Sequence, residues 1–283
     1  MYLGFFLAAY SVIANDSIQT LGTFLSSNKE YFRWYTLWFA ASIMLVFTIT
    51  YGWYFYDGDI SYERLTRIPF QEIQWYHAAA PAVLLVLTRY GIPVSTTFLV
   101  LSAFATVTVL EKMLIKSIVG YGVAAITAYL VWIILERFIN EKTDHPENRK
   151  FWRVSQWVSS GWLWFAWLQH DMANIAVFLP RQLMVGDLIM VLISTILILG
   201  YVFYTGGGKI QEVVINKHGA RFARSTTIIN IVYAFVLYYF KVLNDLPMST
   251  TWVFVGLLSG RELAISTVIS AVSYTHLTLP TKA

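Results

Sequence analysis

The chain has 283 residues, of which 57% are hydrophobic and only 13% are charged, whereas an ordinary soluble domain carries about 25% charged residues. This composition argues against a soluble globular protein, and the absence of cysteine excludes disulfides, thiolate metal sites and cysteine nucleophiles. The formal net charge is +4, which does not indicate a nucleic-acid partner, and none is expected.

Long apolar runs recur along the whole chain. They include residues 37–56, 117–135 and 188–204, and each is close to the ~20 residues that an α-helix needs to cross a bilayer. Tyr and Trp are abundant, as expected where amphipathic rings lie at membrane interfaces. The sequence therefore predicts an all-α, polytopic integral membrane protein, and we expect it in the inner membrane of a cell.

Three short motifs occur twice, in the same order and at a nearly constant separation. They are ANDSIQTLGTFL at 14–25 with QHDMANIAVFLP at 169–180, FYDGD at 55–59 with FYTGG at 203–207, and PVSTT at 93–97 with PMSTT at 247–251. Self-similarity of this kind predicts two copies of one structural unit.

The two copies define the expected organisation of the chain. The first transmembrane repeat covers residues 1–138, a charged linker covers 139–150, and the second repeat covers 151–273. Loop 57–72 is net acidic and the equivalent loop 205–224 is net basic, so the positive-inside rule puts them on opposite faces of the membrane. Equivalent loops on opposite faces indicate inverted-topology repeats.

The end of the chain departs from the repeat pattern. The second repeat should close with a further span beginning near residue 271, but residues 274–283 read YTHLTLPTKA and lack a helical apolar period. We therefore expect the closing helix to be missing and this tail to be non-native sequence.

Each repeat begins with an aspartate well inside an apolar segment, Asp16 in the first and Asp171 in the second. An ionised carboxylate at bilayer depth is costly, so it indicates a bound cation, a proton pathway or a polar cavity. One such residue alone could be a protonated Asp bonded to a neighbouring helix. Two at matched positions favour a functional role.

Amide side chains accompany both aspartates. Asn15 and Gln19 flank Asp16, and Asn174 lies on the same helical face as Asp171. Carboxylate and amide oxygens suit a hard cation, so we predict a Na⁺ site at Asn15, Asp16, Asp171 and Asn174, with Gln19 as a further cation ligand. The alternative is that these side chains form hydrogen bonds between helices.

The repeated Pro-x-Ser-Thr-Thr phrase predicts an anion site. Pro93 and Pro247 suit the first turn of a helix, and a helix start offers free N–H groups, hydroxyls and partial positive charge to an oxyanion. The apolar arms around each phrase predict two re-entrant hairpins, at about 76–110 and about 225–262, whose tips meet near the midplane. The predicted anion ligands are Ser95, Thr96, Thr97, Ser249, Thr250 and Thr251. The alternative is a capped kink in a continuous span.

Two residues break the symmetry of the repeats. Arg89 precedes the first phrase, and it either binds the anion directly or pairs with Asp16 or Asp245. His170 precedes Asp171 and is a candidate proton relay because imidazole titrates near neutral pH. A neutral, hydrogen-bonded histidine is the alternative.

These motifs resemble the inorganic phosphate transporter (PiT) family of cation–phosphate symporters. Each half of that family carries a sequence like G-A-N-D-x-A-N-A, followed by a P-V-S-T-T-H hairpin. ANDSIQT and HDMANIA resemble the first element, and PVSTTF and PMSTTW resemble the second. The resemblance covers nearly the whole chain except the tail. It departs at Gln19 and His170, where the family has Asn, and at Phe98 and Trp252, where it has His.

The resemblance implies inverted repeats, re-entrant hairpins and a binding site at the membrane midplane. It implies that Asp16 and Asp171 help to bind cation and substrate, that the neighbouring amides coordinate the cation, and that the two Ser-Thr-Thr groups hold phosphate. We therefore expect a secondary active transporter, not an enzyme, that moves inorganic phosphate by Na⁺ or H⁺ symport without any cofactor beyond the coupling ion.

Other functions remain open at this point. A carrier of sulfate or another oxyanion, or a channel of the same fold, would have similar residues at these positions. An intramembrane hydrolase using Ser95 or Ser249 with His170 and an Asp is disfavoured, because the sequence has no nucleophile elbow and no H-E-x-x-H motif. The expected partners are inorganic phosphate or a similar oxyanion, the lipid bilayer and a second copy of the chain in a homodimer.

Overall fold

A computed structural model describes residues 2–92, 94–136, 149–207 and 223–278. These residues form nine α-helices and one short 3-10 helix, and no β-strand occurs among them. The all-α prediction is confirmed. Most of the predicted linker 139–150, most of loop 205–224, Pro93 and the last part of the predicted tail lie outside the described residues.

The helices follow one another with short connections. They are α1 (Tyr2–Asn28), α2 (Trp34–Phe55), the 3-10 helix (Trp75–Ala78), α3 (Ala79–Arg89), α4 (Thr96–Leu101), α5 (Val107–Glu136), α6 (Arg149–Ala176), α7 (Val185–Tyr204), α8 (Ala223–Leu243) and α9 (Thr250–Thr278).

Four of these helices are long and apolar enough to cross a membrane. They are α2, α7, and the greater parts of α5 and α8. Large apolar side chains such as Phe39 and Leu197 point outward and are 64% exposed, which fits a surface that faces lipid. The protein is therefore an integral membrane protein, as predicted.

Helix α1 lies in the middle of the bundle. It packs against α3, α6 and α7, and also contacts α4, α8 and α9. From Asn15 to Leu25 every residue of α1 is buried, although the stretch contains a carboxylate, two amides and several hydroxyls. Buried polar groups must form hydrogen bonds within the protein or bind a ligand. This part of α1 is therefore a candidate binding site.

The two Ser-Thr-Thr groups begin helices in the same way. We call residues 90–97 the first tip and residues 244–251 the second tip. Ser95 Oγ accepts a hydrogen bond from Phe98 N at 3.3 Å, and Ser249 Oγ accepts one from Trp252 N at 3.2 Å. Serine is therefore the N-cap of each following helix.

The prediction that Pro247 lies in the first turn of a helix is wrong. Pro247 precedes the capping serine by two residues and has no helical assignment. The reason is that the Ser249 hydroxyl accepts from Trp252 N, one of the free N–H groups at the helix start, so the helix begins after Ser249 instead of at the proline.

The end of the second repeat also differs from expectation. The return arm was predicted to end near residue 262, but α9 runs unbroken from Thr250 to Thr278 and enters the segment predicted as a tail. A Cβ on Gly256 would lie 2.3 Å from Tyr121 O, and one on Gly260 would lie 2.0 Å from Ala125 O. The two glycines therefore let α9 lie directly against the backbone of α5.

Candidate functional site: a polar centre between the two tips

The structure brings the two tips into direct contact. Thr97 Oγ1 lies 3.2 Å from Met248 O, and Thr251 Oγ1 donates to Val94 O at 3.2 Å. These residues hold equivalent positions in the two phrases, so each threonine bonds the same carbonyl of the opposite tip. This reciprocity is the arrangement that a pseudo-twofold axis between the tips would produce.

Asp16 is held by its own helix and by the first tip. Thr96 Oγ1 donates to Asp16 Oδ2 at 2.5 Å. Asn15 Nδ2 and Gln19 Nε2 both donate to Asp16 Oδ1, the latter at 3.2 Å. Asn15 Nδ2 also donates to Val94 O at 3.1 Å, which ties α1 to the first tip. Asp16 itself is fully buried.

Asp171 is held in a similar way on α6. Its Oδ1 accepts from Asn174 Nδ2 at 2.8 Å and lies 3.3 Å from Thr97 Oγ1. Asn174 Nδ2 is also 3.3 Å from the hydroxyls of Thr96 and Thr97. Adjacent threonines on the first tip therefore link the carboxylates of the two repeats, and Asp16 and Asp171 interact electrostatically.

Several oxygens of this centre are buried and lack a hydrogen-bond partner among the described residues. They are Asn15 Oδ1, Gln19 Oε1, Asp171 Oδ2 and Asn174 Oδ1. Unpaired buried acceptors are rare in folded proteins. Carboxylate, amide and hydroxyl oxygens are the ligands that hard cations prefer, so the residues present fit a Na⁺ ion as cargo.

The two tips differ in what they offer to an anion. Helix α4 has six residues, whereas α9 has 29, and only a long helix accumulates a substantial partial positive charge at its N-terminus. The buried hydroxyl of Thr250, which interacts with Asp171, lies at the start of α9. The second tip is therefore better suited to an oxyanion than the first.

The structure does not bring Arg89 to this centre. Arg89 ends α3 and is exposed, and no ion pair joins it to Asp16 or Asp245 among the described residues. The predicted roles for Arg89 at the site are therefore not supported. The partner of Asp245 is Lys241, at 3.1 Å.

Two buried basic side chains that the sequence analysis did not single out lie near the second tip instead. Arg64, from the segment between α2 and the 3-10 helix, is fully buried and interacts electrostatically with Asp171. Lys116 of α5 is 6% exposed. Lys116 directly precedes the apolar run 117–135, and this position could have identified it as a buried lysine. No sequence signal distinguishes buried Arg64 from exposed Arg67.

The contacts of His170 fit a neutral, hydrogen-bonded side chain. Nε2 lies 2.8 Å from Leu237 O, which can only accept, and 3.3 Å from Arg64 Nη2, which can only donate, so the tautomer decides which of the two contacts is a hydrogen bond. Nδ1 is buried and without a partner in the described residues.

The geometry also bears on the hydrolase alternative. The hydroxyls of Ser95 and Ser249 accept from backbone amides, and among the described residues no hydrogen bond links either serine to His170. A serine nucleophile needs a base within hydrogen-bond reach. The described contacts therefore do not favour a hydrolytic triad here.

A seam of buried polar contacts continues from the centre toward the C-terminal end of α1. Thr23 Oγ1 donates to Asn230 Oδ1 at 3.2 Å, and Asn230 Nδ2 donates to Ser160 Oγ at 2.8 Å. Beyond them, Asn28 Nδ2 donates to Gln156 Oε1 at 3.1 Å. Helices α1, α6 and α8 thus meet through polar side chains along this direction.

The same fold occurs in a solved transporter. The chain is similar in structure to "The sodium-dependent phosphate transporter", with a TM-score of 0.63 and 17% sequence identity, over 96% of this chain and 90% of that one. The chain has this transporter's fold. At such identity the likeness concerns the fold alone. No protein-family model and no curated protein sequence matches the chain.

Proposed function

We propose that the protein is a secondary active transporter of the PiT type, which moves inorganic phosphate across a membrane by symport with Na⁺. The observation that carries this proposal is the buried centre between the tips. Two carboxylates from opposite halves of the chain meet there beside amide oxygens that have no hydrogen-bond partner among the described residues. The fold of a sodium-dependent phosphate transporter supports the same conclusion.

The charges of the centre supply a reason for coupling. Ionised Asp16 and Asp171 repel each other and repel any anion, and the low-polarity surroundings strengthen that repulsion. Na⁺ ions held by these carboxylates and by the amide oxygens of Asn15, Gln19 and Asn174 would cancel it. The anion then binds well only after the cations, so the coupling free energy between the two cargoes is favourable, that is, negative.

The phosphate is assigned to the hydroxyl side of the centre. The start of α9 adds partial positive charge there, and the Thr250 hydroxyl, which also interacts with Asp171, lies beside it. The remaining Ser-Thr-Thr residues act differently: Ser95 and Ser249 cap helices, while Thr96 and Thr97 connect the carboxylates to the first tip. Alternating access would then move the two repeats around this fixed site, with the seam at Thr23 and Asn230 as one exit.

The experiment that tests the proposal is uptake of radiolabelled phosphate by proteoliposomes, with and without an inward Na⁺ gradient. We expect accumulation that depends on Na⁺ and that Asp16→Asn and Asp171→Asn each abolish. Asp57→Asn is the matched control, because Asp57 is exposed and outside the centre. Full uptake by both site variants would overturn the proposal.

The same assay decides the alternatives. Sulfate accumulation in place of phosphate would identify a different oxyanion carrier, and uptake driven by a pH gradient without Na⁺ would identify H⁺ coupling. Downhill flux without accumulation would indicate a channel. Placement in an inner membrane and assembly as a homodimer are part of the proposal, and fractionation and cross-linking test them.

A further inference from the structure

A cavity of about 750 Å³ lies where two membrane spans end. Its walls come from the loop that follows α2 and from residues 178–182, which follow α6. Trp53 Nε1 donates to Leu183 O at 2.8 Å, and Leu183 N donates to Gly58 O at 3.0 Å, so the end of α2 and the start of α7 lie side by side. Because both helices are long and apolar enough to cross a membrane, the cavity lies at the boundary between lipid and water.

The surface around the cavity is typical of that boundary. Tyr54, Phe55 and Phe70 are large aromatic side chains that are exposed here, and such rings are enriched at membrane interfaces. The inner wall is apolar and includes Leu65 and Leu179, which are both buried. Phe70 belongs to the wall as well as to the exposed aromatic set, so the cavity continues onto the surface that faces lipid.

Charged side chains of opposite sign line the same cavity without forming an ion pair. They are Arg181, Asp59 and Glu63, and no salt bridge among the described residues includes any of them. Asp59 accepts from the backbone amides of Ser61 and Glu63 at 2.6 and 2.8 Å, and it interacts with Arg181 at longer range than an ion pair. The separated charges leave room for a group that bridges them.

Arg181 also has an unused donor. Its Nη2 donates to Ile68 O at 3.1 Å, but its Nη1 is buried and has no partner in the described part of the chain. A buried donor without a partner is rare in a folded protein and indicates a ligand or water at that position. The cavity therefore offers a guanidinium to an anionic group and two carboxylates to a cationic one.

This combination of charges and apolar wall fits an ethanolamine phospholipid. A guanidinium binds a phosphate oxygen through charge-assisted hydrogen bonds, and a primary ammonium donates hydrogen bonds to carboxylates. A short ethylene link joins the two groups in this headgroup, so one lipid can reach charges that do not meet each other. The acyl chains would then lie along the exposed aromatic surface at Phe70.

A choline headgroup fits less well. Its quaternary ammonium cannot donate a hydrogen bond, and it is recognised through the faces of aromatic rings instead. The aromatic rings of this cavity already have protein cations over them. Lys241 lies 5.8 Å from the ring centre of Tyr56, and Arg181 lies 5.9 Å from that of Phe70.

We propose that this cavity is a binding site for a phosphatidylethanolamine headgroup, with the phosphate at Arg181 and the ammonium at Glu63 and Asp59. None of the side chains that line it belongs to the polar centre between the tips. The inference therefore goes beyond the proposed transport function and does not depend on it.

The test is native mass spectrometry of the delipidated protein in detergent, titrated with three phospholipids that have identical acyl chains. We expect phosphatidylethanolamine to bind about tenfold more tightly than phosphatidylcholine or phosphatidylglycerol. Arg181→Gln should weaken all three lipids, because each carries a phosphate. Glu63→Gln should weaken phosphatidylethanolamine alone. Arg67→Gln and Glu72→Gln are the matched controls, since both residues are exposed in the same loop but do not line the cavity, and they should keep the wild-type affinities.

Glu63→Gln also guards against misfolding. Arg181→Gln removes the bond to Ile68 O and can fail to fold, whereas the side chain of Glu63 is exposed. Equal affinities of the wild-type protein for the three lipids, or an unchanged preference in folded Glu63→Gln, would overturn the proposal. Displacement of the lipid by millimolar inorganic phosphate or phosphoethanolamine would assign the cavity to a soluble phosphate compound and would overturn it as well.

Discussion

Phe98 and Trp252 pack against each other with their ring centroids 5.5 Å apart. They occupy equivalent positions, each directly after a Ser-Thr-Thr group. Next to them lie the reciprocal contacts of Thr97 with Met248 O and of Thr251 with Val94 O. An aromatic pair and two exchanged hydrogen bonds thus join the tips, so a movement that separates the repeats must break all three contacts.

The first prediction concerns the two exchanged hydrogen bonds. Replacing Thr251 by valine removes one bond between the tips and should lower the free energy of unfolding by about 1 kcal/mol. Thr97→Val should do the same and should also reduce the apparent affinity for Na⁺, because the Thr97 hydroxyl is shared with Asp171. Thermal unfolding in detergent and Na⁺ activation of uptake measure the two effects.

The informative comparison is the Na⁺ activation of uptake in Thr97→Val against that in Thr251→Val. Valine matches threonine in shape, so both changes remove a hydroxyl without creating a cavity. Equal Na⁺ activation curves for Thr97→Val and Thr251→Val would contradict the assignment of Asp171 to the cation site.

The second prediction concerns Asn174. Its amide nitrogen donates to Asp171 and lies 3.3 Å from both Thr96 and Thr97, and its oxygen is unpaired among the described residues. Asn174→Ala should therefore raise the Na⁺ concentration needed for half-maximal uptake by about tenfold or more. It should have a smaller effect on phosphate affinity at saturating Na⁺.

The control for Asn174→Ala is Gln182→Ala. Gln182 is exposed and its amide donates to Asp57 at 2.9 Å, outside the centre. This change should leave Na⁺ activation as in the wild-type protein. If Asn174→Ala changes only phosphate affinity at every Na⁺ concentration, Asn174 belongs to the anion side and the proposed cation ligands are wrong.

Much of this architecture could be predicted because it depends on short-range patterns. Apolar runs of span length predict the helices, and the repeated phrases predict that two tips share one environment. The proximity of Asp16 and Asp171 is what the same duplication predicts, since equivalent residues of two repeats would meet if they lie near an axis that relates the repeats.

The parts that could not be predicted depend on contacts between distant segments. Arg64 and Arg67 lie in the same loop with the same side chain, yet only Arg64 reaches Leu246, 182 residues further along the chain. The start of α9 after Ser249 reflects competition between a serine cap and a proline, which both favour helix starts. Composition and periodicity do not predict which of the two residues begins the helix.

The third prediction concerns pH and His77 in the 3-10 helix. Its side chain is 1% exposed, Nδ1 accepts from Gln74 N at 2.9 Å, and the ring stacks on Phe104. Burial lowers the pKa of His77 below its usual value. The unfolded chain therefore binds the proton more readily, and the protein should lose stability as pH falls below about 6.5.

His77→Gln isolates this contribution. Glutamine does not titrate and can accept the same backbone hydrogen bond. We expect the unfolding temperature to fall less between pH 7.5 and 5.5 in His77→Gln than in the wild-type protein, whereas other histidines contribute equally to both. An identical fall in the two proteins would show that His77 does not contribute to the pH dependence.

The fourth prediction concerns the contact between α5 and α9. A Cβ on Gly260 would lie 2.0 Å from Ala125 O, and one on Gly256 would lie 2.3 Å from Tyr121 O. Helix backbones cannot absorb such overlaps without separating, so Gly260→Ala and Gly256→Ala should each destabilise the protein by about 1–3 kcal/mol or more. The midpoint of thermal unfolding in detergent measures the loss.

Gly122→Ala is the matched control for both changes. Gly122 lies on α5, and a Cβ there would meet nothing within 4 Å. Alanine costs about 0.5–1 kcal/mol less than glycine inside a helix, so Gly122→Ala should stabilise the protein slightly. Replacing glycine by alanine in this helix pair should therefore raise the stability at Gly122 and lower it at Gly256 and Gly260. The difference depends only on the distance from the added Cβ to the neighbouring backbone. Equal effects at Gly122 and Gly260 would mean that α9 does not pack on α5 at backbone distance.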